Sequence, residues 1–169
     1  MNKDCDVAIV GAGVGGLTLA LTLHEAGLSC RIYEAASEIR ALGVGINVLP
    51  HATRILGRLG ANERLAEKAV LTSEAAFFNQ HGQLIHAEPL GLAAGYDTPQ
   101  FSIHRGDLQL TLLQIVRERL GAEAVVTDRR CTSVQSTATH AEARFVDAHG
   151  NEHNVSAAIV VACDGLHSA

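Results

Sequence analysis

The sequence predicts an α/β fold that opens on a parallel βαβ unit, and three observations carry that expectation. Val7-Ala8-Ile9-Val10 is an apolar, β-branched run that ends in glycine. Leu17, Ala20, Leu21 and His24 then follow Gly16 at helical spacing, and Gly27 stops the helix. Cys30-Arg31-Ile32-Tyr33-Glu34 supplies a second strand, so strand, helix and strand fit within 30 residues. A continuously apolar strand is one buried on both faces. A connection this short between parallel strands is right-handed.

The remaining elements follow in order. Ala35 to Asn47, with Gly43 and Gly45, is expected to be irregular. A helix starts at Pro50 and turns Ala52, Ile55, Leu56 and Leu59 inward. A shorter helix covers Glu63 to Val70. Residues 74–87 form a hairpin with His81-Gly82 in its turn, Gly91 to Pro99 is loop, and Phe101 to His104 is extended. Gly106 to Leu120 is a helix with Leu108, Leu112, Ile115, Val116 and Leu120 inside and Gly121 beyond its end. Ala124 to Thr127 and Thr132 to Thr137 are strands. Glu142 to Asp147 alternates outward Glu142 and Arg144 with inward Ala143 and Phe145, and His149-Gly150-Asn151 turns the chain back. Ala157 to Val161 is a second strand expected to be fully buried, followed at once by Asp164-Gly165.

A chain of 169 residues allows one domain or two small ones. With 47% hydrophobic and 18% charged residues it is neither a disordered tail nor a linker. The net charge of −5 argues against nucleic acid or an anionic membrane surface as the main partner. Trp is absent and aromatics are 4%, which disfavours a module built on aromatic stacking. Cys5, Cys30, Cys131 and Cys163 have no CxxC spacing, so a local redox dithiol and a zinc ribbon are excluded, and idle thiols in a reducing cytoplasm are expected. Val7 to Leu23 carries no charge, but it has no basic leader and is short for a membrane span, so stable membrane insertion is not expected.

The chemistry concentrates at the ends of the apolar strands. Gly11-x-Gly13-x-x-Gly16 lies where the first strand meets the helix. Gly11 permits the tight turn, Gly13 lets a pyrophosphate reach the backbone, and Gly16 lets helix pack on strand. The helix N-terminus offers N–H groups and a positive dipole end to phosphate. Glu34, 18 positions past Gly16, is placed to accept both hydroxyls of an adenosine ribose and would repel a 2′-phosphate. These features fit a Rossmann-like domain and do not separate NAD from FAD, which share the ADP half. Arg105, ahead of the long helix, is a candidate for a phosphate or carbonyl oxygen, with a surface ion pair as the alternative. Asp164-Gly165, beyond a strand end, is a candidate for a ribose or ribityl chain, with a helix N-cap or turn Asp as the alternative. His149 and His153 have metal-pair spacing but no cysteine partner, and no metal site is expected. No Gly-x-Ser-x-Gly, Walker loop or HExxH is present, so hydrolase and triphosphatase chemistry lack support.

Three blocks together carry a resemblance to a known family. They are GAGVGG with Glu34, Ser102-Ile103-His104-Arg105-Gly106-Asp107-Leu108, and Val161-Ala162-Cys163-Asp164-Gly165-Leu166-His167-Ser168. The sequence resembles the group A FAD-dependent aromatic monooxygenases over nearly its whole length. The run from Glu38 to Asn47 is most similar to the phenazine / 5-methylphenazine-1-carboxylate monooxygenase branch. The resemblance implies a glutathione-reductase-type FAD-binding domain over 1–169 with a β-hairpin insertion, in which 74–104 begins a substrate-side sheet. It implies that Gly11, Gly13 and Gly16 cradle the FAD pyrophosphate and that Glu34, with Ala35 beside it, serves the adenosine ribose. Arg40, Gly43, Val44 and Gly45 then lie on the ribityl–flavin side, Arg105 at the centre of the cofactor, and Asp164 and Gly165 in the family's Asp-Gly motif. Cys163 stands where the family commonly has Ala.

The implied reaction uses NADH or NADPH to reduce the flavin. A flavin C4a-hydroperoxide then hydroxylates a small aromatic or heteroaromatic substrate with O2. No catalytic side chain is assigned. Family members run well beyond this length and carry a later Gly-Asp motif, so the chain is expected to be the N-terminal portion, inactive alone, with an exposed apolar face and association of copies left open. The alternatives are an NAD-dependent dehydrogenase and a non-catalytic FAD-fold remnant. A flavin disulfide reductase is excluded because Cys30 has no partner.

Overall fold

A computed structural model describes residues 4–168. In chain order the elements are β1 (Cys5–Val10), α1 (Val14–Glu25), β2 (Cys30–Tyr33), β3 (Gly45–Val48), α2 (Pro50–Arg58), α3 (Asn62–Ala66), β4 (Val70–Leu71), β5 (Glu74–Phe78), β6 (Leu84–Pro89), β7 (Phe101–His104), α4 (Arg105–Leu120), β8 (Val125–Val126), β9 (Arg130–Ser136), β10 (Ala141–Val146) and β11 (Glu152–Ala162). They form two compact units. One holds the described residues through Arg40 together with those from Leu112 onward, and the other is Ala41–Thr111.

The first unit is a six-stranded sheet in the order β8-β2-β1-β11-β10-β9. β8, β2, β1 and the C-terminal half of β11 run parallel, whereas β10 and β9 join antiparallel. β11 links the two regimes. Its residues Ala157 to Ala162 pair with Cys5 to Val10 of β1, and Glu152 to Ala157 pair with β10. Val7, Ala8, Ile9 and Val10 are all buried, as a strand covered on both faces requires. Gly16, Leu17, Ala20 and Leu21 form the buried stripe of α1. On β10 the alternation is as expected, with Ala141, Ala143 and Phe145 buried and Glu142 and Arg144 exposed. Phe145 stacks on Tyr33 with centroids 4.6 Å apart, in a cluster with Ala8, Val10, Val155 and Ala157.

The expected full burial of the 157–161 strand does not hold. Ile159, in register with Val7, is 56% exposed, because no helix among the described residues covers that part of the sheet as α1 covers β1.

The second unit has an antiparallel sheet in the order β3-β7-β4 and a separate two-stranded sheet, β5 with β6. The hairpin over 74–87 forms as expected. Asn79 builds its turn by accepting the N–H groups of His81 and Gln83 at Oδ1, and Gly82 takes φ +77°. Three details differ from the sequence reading. The stretch before Asn47 is not wholly irregular, since Gly45 to Val48 pairs with Phe101 to His104 as β3, a four-residue ladder too short to show a period. The second short helix ends at Ala66, and Val70 enters β4 instead. The inward stripe of α2 is Pro50, Thr53 and Leu56, while Ile55 is exposed. Thr53 is fully buried because its hydroxyl donates to the Pro99 carbonyl at 2.6 Å, a partner far away in sequence. The 91–99 loop contains a 3-10 turn over Gly91–Ala94. α4 begins at Arg105 and keeps Leu108, Leu112, Ile115 and Val116 buried, as its periodicity predicts, with Leu120 only half-buried.

The turn joining β10 to β11 is organised by Asp147. Its Oδ2 accepts from the Asn151 side-chain amide and from His153 Nε2, each at 3.0 Å, and its Oδ1 accepts the N–H groups of His149 and Asn151. These donors, the Asn151 amide foremost, hold the Asp147 carboxyl well below the usual carboxylate range. A carboxyl with a depressed folded-state pKa contributes stability above its unfolded value, near ~3.9, and loses it as pH falls. Thermal unfolding followed from pH 6 downward will therefore show a steeper acid loss in the unsubstituted protein than in Asp147→Asn. Identical acid slopes would mean that this turn is uncoupled from folding.

Candidate functional site

The site in the first unit is built where β1, β2 and β11 end side by side. Gly11 leaves β1 with φ +98°, its N–H donating to the Tyr33 carbonyl at 2.8 Å. A Cβ there would stand 2.6 Å from the Cys163 carbonyl oxygen and 2.9 Å from Asp164 Cα. Both the dihedral and the contact demand glycine. Gly16 is required by packing, because a Cβ would overlap the Gly11 carbonyl oxygen and press on Ile9 Cγ2 at 3.3 Å. Gly13 differs from both. Its backbone, φ −70° and ψ 177°, suits any residue, and its Cβ would meet only the Cys163 carbonyl oxygen, at 4.0 Å. The fold itself does not need glycine at 13; a side chain there would fill an open cradle beside the Cys163 carbonyl.

That cradle opens on the N-terminus of α1. The first backbone bond of the helix is Leu17 N–H to the Gly13 carbonyl, no side chain caps the end, and the first turn holds no acid. Helix-start N–H groups and the positive dipole end are thus presented to an anion.

Glu34 follows β2 and does more than the sequence suggested. Its Oε2 accepts the Ala12 N–H at 2.7 Å and its Oε1 the Ala36 N–H at 2.9 Å. The carboxylate therefore ties the glycine turn to the end of β2. Each oxygen keeps a further acceptor position. Ala35 is exposed beside it. Arg40, also in this unit, is exposed and pairs with Glu38 at 2.7 Å. Asp164 occupies the N-cap position of a 3-10 turn over Gly165–His167, as the turn-Asp alternative has it, but its side chain makes no capping bond. Gly165 follows with φ +80°. Cys163 N–H donates to the Val10 carbonyl at 2.7 Å, which fixes the β11 end against β1. Burial first, then the Asp164 carboxylate, pushes the Cys163 thiol up.

The other predicted residues lie in the second unit. Gly43, Val44 and Gly45 are exposed, Val44 at 74%. Arg105 is exposed at the start of α4, and its N–H donates to the Val44 carbonyl at 3.0 Å. Gly43 lies against the stem of Arg105, since a Cβ would stand 3.3 Å from Arg105 Cβ. His104, which sequence reasoning passed over, clamps this loop. Its Nδ1 accepts the Gly106 N–H at 3.2 Å, which leaves Nε2 as the protonated nitrogen, donating to the Gly43 carbonyl at 3.0 Å. Its place just before Arg105 at a strand-to-helix junction was the available signal. His153 is engaged by Asp147. Among the described residues no group of three or more His, Cys, Asp or Glu converges on a point.

Comparison with known proteins matches residues 4–169 to the FAD binding domain family. The chain belongs to this family. It is 46% identical over 169 residues to phenazine 1,6-dicarboxylic acid hydroxylase PhzS of Lysobacter antibioticus, covering 97% of this chain and 41% of that protein. It is 34% identical over 175 residues to 3-amino-4-hydroxybenzoate 2-monooxygenase of Streptomyces cremeus, covering 99% and 41%. Its fold is that of p-nitrophenol 4-monooxygenase PnpA from Pseudomonas putida DLL-E4, with a TM-score of 0.87 at 21% identity over 99% of this chain and 42% of that one. The chain thus spans about 41% of the length of the curated relatives it matches.

Glu34→Ala in this FAD-binding domain strands the Ala12 and Ala36 N–H groups, and each lost charge-assisted bond is worth about 1.5–3 kcal/mol. Denaturant unfolding without cofactor will show a loss of stability, and an unchanged midpoint would confine Glu34 to ligand contact.

Proposed function

We propose that the chain is the FAD-holding portion of an NAD(P)H-dependent monooxygenase that hydroxylates an aromatic or heteroaromatic ring. The observation that carries this reading is the cradle that a Cβ at Gly13 would fill, in front of the uncapped α1 N-terminus. It is shaped and polarised for a pyrophosphate. Gly11, Gly13 and Gly16 shape that cradle, and the free acceptor positions of Glu34, with Ala35 alongside, hold the adenosine ribose. Asp164 and Gly165 hold hydroxyls of the chain beyond the pyrophosphate, a role supported by a carboxylate that caps nothing. On the second unit, Gly43, Val44, Gly45 and Arg105 are assigned to the ribityl–flavin portion, supported by the exposure of the loop and its clamping by His104. Arg40 is assigned there too, on the resemblance of its segment.

Bound FAD supplies the redox chemistry, accepting electrons from NADH or NADPH and activating O2. The chain's own contribution is to bind and orient. Backbone N–H groups and the helix dipole neutralise phosphate charge, and Glu34 sets the adenosine end by accepting from hydroxyls. The aromatic substrate class is supported by the relatives' own substrates, a phenazine dicarboxylic acid and an aminohydroxybenzoate. Residues 74–104 are assigned to the substrate side. Four free cysteines support a cytoplasmic location, and no helix among the described residues is long and apolar enough to cross a membrane.

Gly13→Val tests the reading sharply, because the added side chain enters the cradle while its Cβ meets only the Cys163 carbonyl oxygen, at 4.0 Å. The variant will melt within a few degrees of the unsubstituted protein yet fail to take up FAD, read by flavin absorbance after desalting. Retained flavin in Gly13→Val would overturn the pyrophosphate assignment. Tight NADH binding with no FAD uptake in the unsubstituted protein would favour a dehydrogenase instead.

A further inference from the structure

Asp128 lies in the segment between β8 and β9 and is the one non-glycine residue with a positive φ, +56°, among the described residues. Aspartate is one of the few side chains that tolerate this conformation. A residue held in it directs attention to what the surrounding structure gains from the bend.

The gain is a doubled backbone contact. An extended strand points successive N–H groups to opposite sides. The bend at Asp128 sends two consecutive ones to the same neighbouring segment. Asp128 N–H donates to the Ala36 carbonyl at 3.0 Å, and Arg129 N–H donates to the Glu34 carbonyl at 2.8 Å. Glu34 N–H donates in turn to the Val126 carbonyl at 2.9 Å, so the stretch from Val126 to Arg129 is laced along the stretch from Glu34 to Ala36. Ala36 is held from both sides, its carbonyl by Asp128 N–H and its own N–H by Glu34 Oε1 at 2.9 Å.

The Asp128 side chain reaches a different element. Its Oδ1 accepts the Ala148 N–H at 2.8 Å. Ala148 is the second residue of the turn that Asp147 organises, closed by Gly150 N–H donating to the Asp147 carbonyl at 3.0 Å. One residue therefore bonds the β10–β11 turn through its carboxylate and the Glu34 segment through its backbone. A ligand-facing carboxylate whose own backbone is braced loses less freedom when the ligand binds. We propose that Asp128 is a positioning residue for the adenosine end of the cofactor. It braces the segment from Glu34 to Ala36 against the Asp147 turn, so that the Glu34 carboxylate is set before FAD arrives. The proposal rests on the reading of Glu34 as the ribose acceptor, and Asp128 itself acts only through Glu34.

The test titrates FAD into the intact protein stripped of flavin, with binding followed by flavin fluorescence and folding by thermal melting. Asp128→Gly keeps the backbone conformation and removes the carboxylate, and it will weaken FAD binding roughly fivefold or more. Asp128→Asn keeps an acceptor oxygen and tolerates the same φ, and it will bind FAD as the unsubstituted protein does. Ala148→Pro removes the donor at a turn position that favours proline, and it will weaken FAD binding as Asp128→Gly does. It carries the test if Asp128→Gly does not fold. In a Glu34→Gln background, Ala148→Pro will cost less affinity than it does alone, because the two changes act through one carboxylate. Unchanged FAD affinity in Asp128→Gly or Ala148→Pro, whatever their melting temperatures, would overturn the proposal while leaving the FAD reading in place. So would an undiminished loss in the Glu34→Gln background. Absence of FAD uptake by the unsubstituted protein would overturn the FAD reading and the proposal with it.

Discussion

The arrangement of the first unit depends on one close approach, that of the Gly11 backbone to the Cys163–Asp164 peptide. Two parallel strands separated by more than 140 residues, β1 and β11, end at the same level because Cys163 N–H donates to the Val10 carbonyl. The chain then turns away from both strands in the narrow space that only a residue without Cβ leaves. This contact sets the height at which α1 begins, and so where its free N–H groups point. It also places Asp164 next to that helix start. Gly16 continues the constraint, since the helix can descend along β1 only if nothing projects toward the Gly11 carbonyl. The glycine turn is thus wedged from two sides before any ligand is considered.

Glu34 adds the third side. By accepting the N–H groups of Ala12 and Ala36 it spans the turn after β1 and the segment after β2. Each oxygen is oriented by one backbone donor and keeps its remaining acceptor capacity outward. A carboxylate on a free side chain would lose rotamer entropy on meeting a ribose; one already held by two backbone donors loses less. The structural role of Glu34 and the ribose-binding role proposed for it therefore reinforce each other. The His104 clamp orients its loop in a similar way, bonding the carbonyl of Gly43 and the N–H of Gly106 through the two nitrogens of one ring.

What was legible in the sequence is what local pattern encodes. The βαβ opening, the 74–87 hairpin, the long helix α4 and the alternation on β10 all arise from period, caps and turn residues within a short window. What was not legible depends on partners far away in sequence. β3 exists because β7, more than 50 positions later, pairs with it. Thr53 replaces Ile55 on the inner face of α2 because the Pro99 carbonyl receives its hydroxyl. The Glu34 tether and the His104 clamp were hidden for the same reason, since a side chain's partner is a tertiary fact. The distinction between Gly11 and Gly16, which the fold requires, and Gly13, which it does not, is likewise absent from a motif that writes all three alike.

The exposed apolar residues follow a pattern that bears on the whole. Phe77, Phe78, Leu84 and Ile85 are all more than half exposed on the β5–β6 hairpin, and Leu42 and Val44 are exposed in the loop that leads into β3. A two-stranded hairpin is marginally stable by itself in water and gains independent stability from further strands or a packed helix. Ile159 sits on a sheet face that α1 leaves bare. By contrast the cluster around Phe145 and Tyr33 is closed, with Phe145 fully buried. The closed core therefore underlies the glycine turn, whereas the open apolar surface is concentrated on the hairpin and the loop that leads into β3. Monomeric proteins seldom leave contiguous apolar patches uncovered, and the relatives this chain matches are more than twice its length. On this distribution, the packed sheet of the first unit fixes the glycine turn and the Glu34 tether by itself, while the β5–β6 hairpin keeps its large apolar side chains on the outside, where its two strands alone give them nothing to pack against.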